Sequence, residues 1–264
     1  PRPTLFVGRL QERRKLAAAL LPAGSCPPVV ALSGRPGVGK TALALSVAHE
    51  AAARFPDGQL YADLGGATQD GPVTADELAC WFLRALGDST IGPATGLRAA
   101  SARLRSITTD RRVLMVLDNA VDEEQVLPLL PTGVGCAVLV TSRRPLPLDH
   151  AAQFPLPVLS AADSVTLLTE LVGGARLAGS DQDVAAIVRH CHHLPLAVRA
   201  VGALLCAHPD WSVRFLATQL ASGRCRVLDL RYGNHRLRDR LCVPEWPVPE
   251  LEPAGRAAET PGRR

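Results

Sequence analysis

A chain of 264 residues, 47% apolar and 20% charged, is long enough to bury a sizeable core and too apolar to be a disordered polyelectrolyte. Its formal net charge is +4, yet from Gly223 to the end nine arginines face six acids, so the part before Gly223 carries only +1. A nearly neutral body argues against a basic nucleic-acid-binding face, so no direct nucleic-acid binding is expected.

In chain order, the first predicted element is a helix from about Leu10 to Leu21. Arg13 to Cys26 has some of the texture of a secretion signal, but its apolar run, Leu16 to Leu21, is short and Glu12 precedes it, so a surface helix is the better reading. The uncharged span Ala17 to Gly34 holds three prolines and cannot cross a membrane as a helix; no membrane partner is expected. A strand follows at Val29 to Ser33, then a helix at Lys40 to Arg54 and a strand at Gln59 to Leu64. Helices near Ala75 to Leu86 and Gly96 to Thr108 lead to a strand at Val113 to Asp118, a short helix near Glu123 to Leu130 and a strand at Ala137 to Thr141. A last strand is expected near Pro155 to Leu159. The continuous runs LMVL and AVLV are those of strands covered on both faces, and the alternation with helices predicts a parallel α/β sheet; the glycine-rich GRPGVGKT at residues 34–41, between the first strand and the next helix, makes it one of the P-loop NTPase kind.

After Leu159 the strand signals stop. Ser160 is a good helix cap, and helices are expected at about Ala162 to Leu171, Asp181 to Cys191, Pro195 to Cys206 and Ser212 to Ala221. Val184, Ile187, Val188 and Cys191 share one face, as in a small helical bundle. The expected organisation is therefore an α/β nucleotide-binding domain over residues 1–159, a helical domain over 160–222 and an Arg/Pro-rich tail over 223–264, extended or disordered after about Asn234 and pinned, if anywhere, by Trp246. The seven cysteines are odd in number and never spaced CxxC, which predicts reduced thiols in the cytoplasm. Cys191 sits among His190, His192 and His193, but neighbours along a helix point apart, so that run is a poor metal site.

The chemistry is carried by residues 34–41, GRPGVGKT, which satisfy GxxxxGK[ST] between a predicted strand and a predicted helix. Such a loop curls its amides around phosphate at a helix N-terminus. Gly34, Pro36, Gly37, Val38, Gly39, Lys40, Thr41 and Ala42 form the expected cradle, Lys40 reaching the β- and γ-phosphates and Thr41 holding Mg²⁺. Only two lysines occur among the 29 basic residues, and one of them is Lys40, as though this position requires a compact ammonium. Asp118 ends a buried strand where the second metal-holding oxygen belongs. Residue 119 is Asn, which orients water but takes its proton poorly, so slow hydrolysis is expected. Asp122, Glu123 and Glu124 read as a solvated helix start. If the strand ending in Thr141, Ser142, Arg143 and Arg144 neighbours the P-loop strand, an arginine there reports on the γ-phosphate; otherwise Arg143 and Arg144 are ordinary surface charges.

These motifs, in this order, resemble the NB-ARC family of STAND nucleotide switches, and in particular the module within large actinobacterial transcriptional regulators that carry a winged-helix front and a tetratricopeptide tail. The matching pieces are FVGR at Phe6 to Arg9, GRPGVGKT, GQLYADLGG at Gly58 to Gly66, LMVLDNA at Leu114 to Ala120, VLVTSRR at Val138 to Arg144 and CHHLPLAVRAVG at Cys191 to Gly202. The resemblance implies that Val7, Gly8 and Arg9 meet adenine through their backbone, that Pro195 packs on the base, and that Lys40, Asp118 and Arg143 are the catalytic and sensing set. It implies a module that binds ADP or ATP with Mg²⁺, works with effector and repeat sensor domains of a parent regulator, and self-associates on activation. His193 stands where the family commonly has glycine, which predicts an altered turn near the base. Beyond Gly233 the Arg/Pro-rich text replaces the winged-helix domain the resemblance expects; a truncated chain, a shortened paralogue or a shifted reading frame would each end so. A P-loop kinase acting on a small metabolite is the competing enzyme reading, although Arg176, Arg189, Arg199 and Arg214 are too dispersed for its lid. A DNA-binding regulator in its own right is the competing non-enzyme reading.

Overall fold

The structure, a computed structural model, describes residues 5–22, 24–65, 73–88, 96–233 and 235–241. Trp246, Gly66 and the tail beyond residue 241 lie outside the described residues. Helix α1 (Leu10–Ala19) leads to β1 (Val29–Ser33), the P-loop and α2 (Lys40–Glu50), which gives way to a single 3₁₀ turn at Ala52–Arg54. Strand β2 (Gly58–Asp63), helices α3 (Ala75–Ala85) and α4 (Leu97–Thr108), strand β3 (Val113–Ala120), the short α5 (Glu123–Val126) and strand β4 (Ala137–Ser142) follow at the expected places.

The strands form one parallel sheet in the order β2-β3-β4-β1-β5, where β5 is Ala152–Pro155. Alternate residues of β3 face opposite ways: Leu114 and Val116 join a core shared with α1, α2 and the later helices, while Val113, Met115 and Leu117 join a second core with α3 and α4. Both faces are covered, which is why the run is continuously apolar.

The last strand departs from expectation. It ends where it was predicted to begin, at Pro155, because β5 is an exposed edge whose residues carry no apolar run. The apolar stretch that follows is instead the passage to the helices: Leu156 N–H still donates to Ser33 O, but Leu159 N–H donates to His193 O.

Helices α6 (Ala161–Val172), α7 (Gly174–Leu177), α8 (Asp181–His190), α9 (Pro195–Ala207) and α10 (Val213–Ala221) make the helical part. Ser160 caps α6 by accepting from Asp163 N–H, and Ser212 caps α10 by accepting from Phe215 N–H. Leu167, Ile187, Val201 and Leu216 belong to the same core as Val30 and Leu32 of β1, so the bundle is continuous with one sheet face. After α10, a two-residue pairing of β6 (Arg231–Tyr232) with β7 (His235–Arg236) precedes α11 (Leu237–Leu241). For residues 235–241 this corrects the expectation of extended or disordered chain after about Asn234. Leu237 and Leu241, four residues apart and both buried, supply the apolar stripe that folds the segment back onto the molecule.

Candidate functional site

The P-loop runs from the end of β1 into α2. Gly37 and Gly39 have φ of 76° and 96°, left-handed values that a side chain would strain, and they turn the chain so that α2 begins at Lys40 with its N-terminus facing the loop. The Lys40 ammonium lies inside this turn, donating to Gly34 O at 2.8 Å and Arg35 O at 3.1 Å. Burial pushes its pKa down to about 8; the Asp118 carboxylate opposes that fall and the nearby Arg143 cation adds to it.

Thr41, next in α2, donates its hydroxyl to both carboxylate oxygens of Asp118 at 2.9 Å. Asp118 is 2% exposed and also accepts from Thr141 Oγ1 on β4 and from Tyr61 OH on β2, the latter at 3.2 Å. The site thus presents hard oxygen donors, a hydroxyl and a carboxylate, side by side at a helix N-terminus, and that donor set suits Mg²⁺. Strand β4 does lie beside β1, with Leu32 opposite Thr141 and Ser33 opposite Ser142, so Arg143 leaves the sheet next to the P-loop.

A cavity of about 310 Å³ opens over these groups, within the range of small-ligand sites. Its polar lining is Lys40, Thr41, Asn119 and Arg143, with Pro36, Gly37, Val38, Gly39 and Ala42 of the loop and helix start. Its apolar lining includes Phe6, Val7, Leu159, Leu167, Pro195 and Leu196. Pro195 opens α9 and lies 3.8 Å from where a β-carbon on Gly39 would stand, while Leu196 N–H donates to Gly37 O. Three expected residues stay off the wall. Gly8 backs onto the Asp163 carboxylate, Gly34 offers its carbonyl to Lys40, and Asp118 reaches the cavity only through Thr41. Arg9 lines the cavity but its side chain scaffolds: it is 6% exposed and donates to Pro157 O and Val38 O, besides pairing with Glu12.

The model of the family described as NB-ARC domain matches residues 10–177. The chain belongs to the NB-ARC family. It is 40% identical over 250 residues to the regulatory protein AfsR of Streptomyces coelicolor, covering 94% of this chain and 25% of that protein. It is also 26% identical over 219 residues to a probable disease resistance protein of Arabidopsis thaliana, covering 78% of this chain and 25% of that one. The chain therefore spans about a quarter of the length of these curated relatives. Among solved structures it is similar to a Walker-type ATPase of Pyrococcus abyssi, with TM-score 0.54, 14% identity, and 83% and 73% of the two chains covered. A STAND protein with a tetratricopeptide repeat sensor from Pyrococcus horikoshii gives TM-score 0.51, 19% identity, and 76% and 30% coverage. These structural likenesses establish the P-loop NTPase fold.

Four residues have roles around this cavity that the sequence alone does not assign. Tyr61 and Thr141 hold Asp118, Arg199 on the cavity wall donates to Leu5 O, and Asp63 accepts from Asn119 Nδ2 at 3.2 Å. The available signal was positional: Tyr61, Asp63 and Thr141 all sit near the carboxyl ends of strands flanking Asp118 or the P-loop. The turn at His193 keeps the left-handed backbone that glycine would adopt, with φ of 54°, and His192 before it has φ of 49°. The expected alteration does not occur because His193 is held on several sides. Its N–H donates to Val188 O, its carbonyl accepts from Leu159 N–H, and its Nδ1 lies 3.1 Å from Ser164 Oγ. Asp122 is a cap, accepting from Gln125 N–H at the start of α5.

Proposed function

We propose that this NB-ARC module binds an adenine nucleotide, ADP or ATP with Mg²⁺, and serves as the slow-hydrolysing switch of an AfsR-type regulator. The observation that carries this reading is one cavity with two unlike linings: an ammonium, a hydroxyl and a guanidinium around the P-loop, and an apolar set that includes Phe6, Val7 and Leu167, with Pro195 standing beside the loop. A diphosphate with a flat base attached matches that polarity.

The wall is built from both halves of the chain, which supports a domain division at 1–159, 160–222 and 223–264 with nucleotide between the first two. A bound nucleotide then favours whichever arrangement of the halves makes the better cleft, and Arg143 gives ATP and ADP unequal contacts. Val7 and Arg9, which line the cavity on either side of Gly8, take the base edge through their backbone, and Lys40, Thr41 and Arg143 take the phosphates. Thr41 and Asp118 would hold Mg²⁺, which supplies charge neutralisation between the phosphates. Slow hydrolysis follows from Asn119, whose amide faces Asp63 and offers no carboxylate to a water. The wider setting we infer is cytoplasmic, with effector and repeat sensor domains as partners, self-association on activation and no direct nucleic-acid contact by this module.

The kinase reading loses its remaining support in the helical part. Arg176 donates to Leu205 O, His208 O and Trp211 O, and Arg199 to Leu5 O, so these arginines brace the fold instead of covering a phosphate. To test the function, purified protein is denatured and the released nucleotide identified by chromatography. Adenine nucleotide is expected from the parent and none from Lys40→Ala; equal recovery from the variant refutes the assignment.

A further inference from the structure

The acid beside the P-loop is held more tightly than a two-residue metal site requires. Asp118 accepts from three hydroxyls on three elements: Thr41 from α2, Thr141 from β4 and Tyr61 from β2. Two of these bind single oxygens, Thr141 on Oδ1 and Tyr61 on Oδ2, so the carboxylate is gripped from both ends and its rotation is blocked. The Tyr61 grip is not a by-product of strand pairing. The register sets Tyr61 opposite Val116 and Asp63 opposite Asp118, so the phenol has to lean two residues along the sheet to reach the acid. Its hydroxyl is the polar end of a half-buried ring, and burial together with the Asp118 and Asp63 charges raises its pKa above the ordinary tyrosine range.

The consequence falls on Thr41. A hydroxyl whose proton is committed to a fixed carboxylate has its lone pairs directed elsewhere, toward a cation at the loop. We propose that Tyr61 is a positioning residue for Mg²⁺, orienting Asp118 and through it the Thr41 oxygen. This rests on the nucleotide and Mg²⁺ reading above but goes beyond it, by giving the metal its affinity through a phenol on a neighbouring strand.

Tyr61→Phe keeps the ring and removes only the donor. Nucleotide affinity is measured with Mg²⁺ and again with a chelator, and the ratio of the two is the readout. Outer-shell partners of metal ligands typically contribute tenfold or more to metal affinity, so the ratio should fall about tenfold in Tyr61→Phe. A merely structural role would lower both affinities and leave the ratio where it was, and that result overturns the proposal while sparing the nucleotide reading. A parent protein whose binding ignores Mg²⁺ altogether overturns both.

Discussion

Lys40 makes the nucleotide site sensitive to pH in a way whose sign can be worked out. The residue is 8% exposed, and burial, with the Arg143 cation nearby, brings its pKa down to about 8 in the nucleotide-free protein. Phosphate binds the protonated form, so binding raises this pKa, and affinity should be full below about pH 8 and fall as pH rises beyond it. One proton is involved, so the limiting fall is about tenfold, or about 1.4 kcal/mol, per pH unit until the pKa of the bound form is reached. Stability of the nucleotide-free protein should move the other way. Folding depresses this lysine's pKa, so the folded state disfavours the proton. The resulting cost, on the order of 3 kcal/mol at neutral pH, is relieved as pH climbs from about 8 toward the ordinary lysine value. Titration calorimetry with ADP and Mg²⁺ between about pH 7 and pH 9.5 reads the first trend, and repeating it in buffers of different ionisation enthalpy should show roughly half a proton taken up near pH 8. The neighbours set the direction of further shifts. Arg143→Ala removes a like charge and should move the fall to higher pH, whereas Asp118→Asn removes an opposite charge and should move it lower. Affinity that stays flat to about pH 9.5, or an Arg143→Ala profile displaced to lower pH, would refute the electrostatic account of Lys40.

Two further outcomes follow from packing around the loop. Asn119→Asp alone should raise turnover little, because the new carboxylate meets Asp63 at hydrogen-bond distance and like charges resist sharing that space. Asp63→Asn combined with Asn119→Asp restores the pair with its members exchanged, and should raise single-turnover hydrolysis at least tenfold if a carboxylate at position 119 is what limits it; an unchanged rate dismisses that explanation. Gly37→Ala should weaken nucleotide binding by tenfold or more, since its β-carbon would stand 2.5 Å from Leu241 Cδ2 on a backbone with φ of 76°. Adding Leu241→Ala should recover only the steric part, leaving the backbone strain, and complete recovery of affinity would show that the φ requirement has been overstated.

The sheet was legible where it is buried and illegible where it is not. β1, β3 and β4 are read directly from apolar runs because both faces are covered, whereas β5, an edge strand reading AQFP, has no pattern to detect and was displaced onto the apolar connection that follows it. That β4 lies beside β1 is a long-range fact that no local pattern carries, so from sequence it stands only as a condition, which the register meets. Within the site, the loop, Lys40, Thr41 and Asp118 announce themselves by spacing. Tyr61 does not, since a tyrosine in a strand is what β-propensity alone would place there. Leu237 and Leu241 were hidden by the surrounding arginines and prolines, although their four-residue spacing was a helical signal.

The loop that grips phosphate is also the loop that the rest of the chain holds. Gly37 gives its carbonyl to Leu196 at the start of α9, and its α-carbon lies under Leu241 of α11. Arg199, one turn further along α9, ties Leu5 of the N-terminal segment to the same helix, and Arg9 ties that segment to Val38 and to Pro157 on the way to the bundle. A displacement of the P-loop on loading phosphate is therefore felt by α9 through a hydrogen bond rather than through solvent, and α9 also carries Pro195. Full switching needs the two nucleotides to differ by about 10⁴-fold in their preference between states. In the proposed switch, a γ-phosphate contact at Arg143 would supply only part of that difference, and the remainder would come from contacts that α9 and α11 make or break as the loop moves.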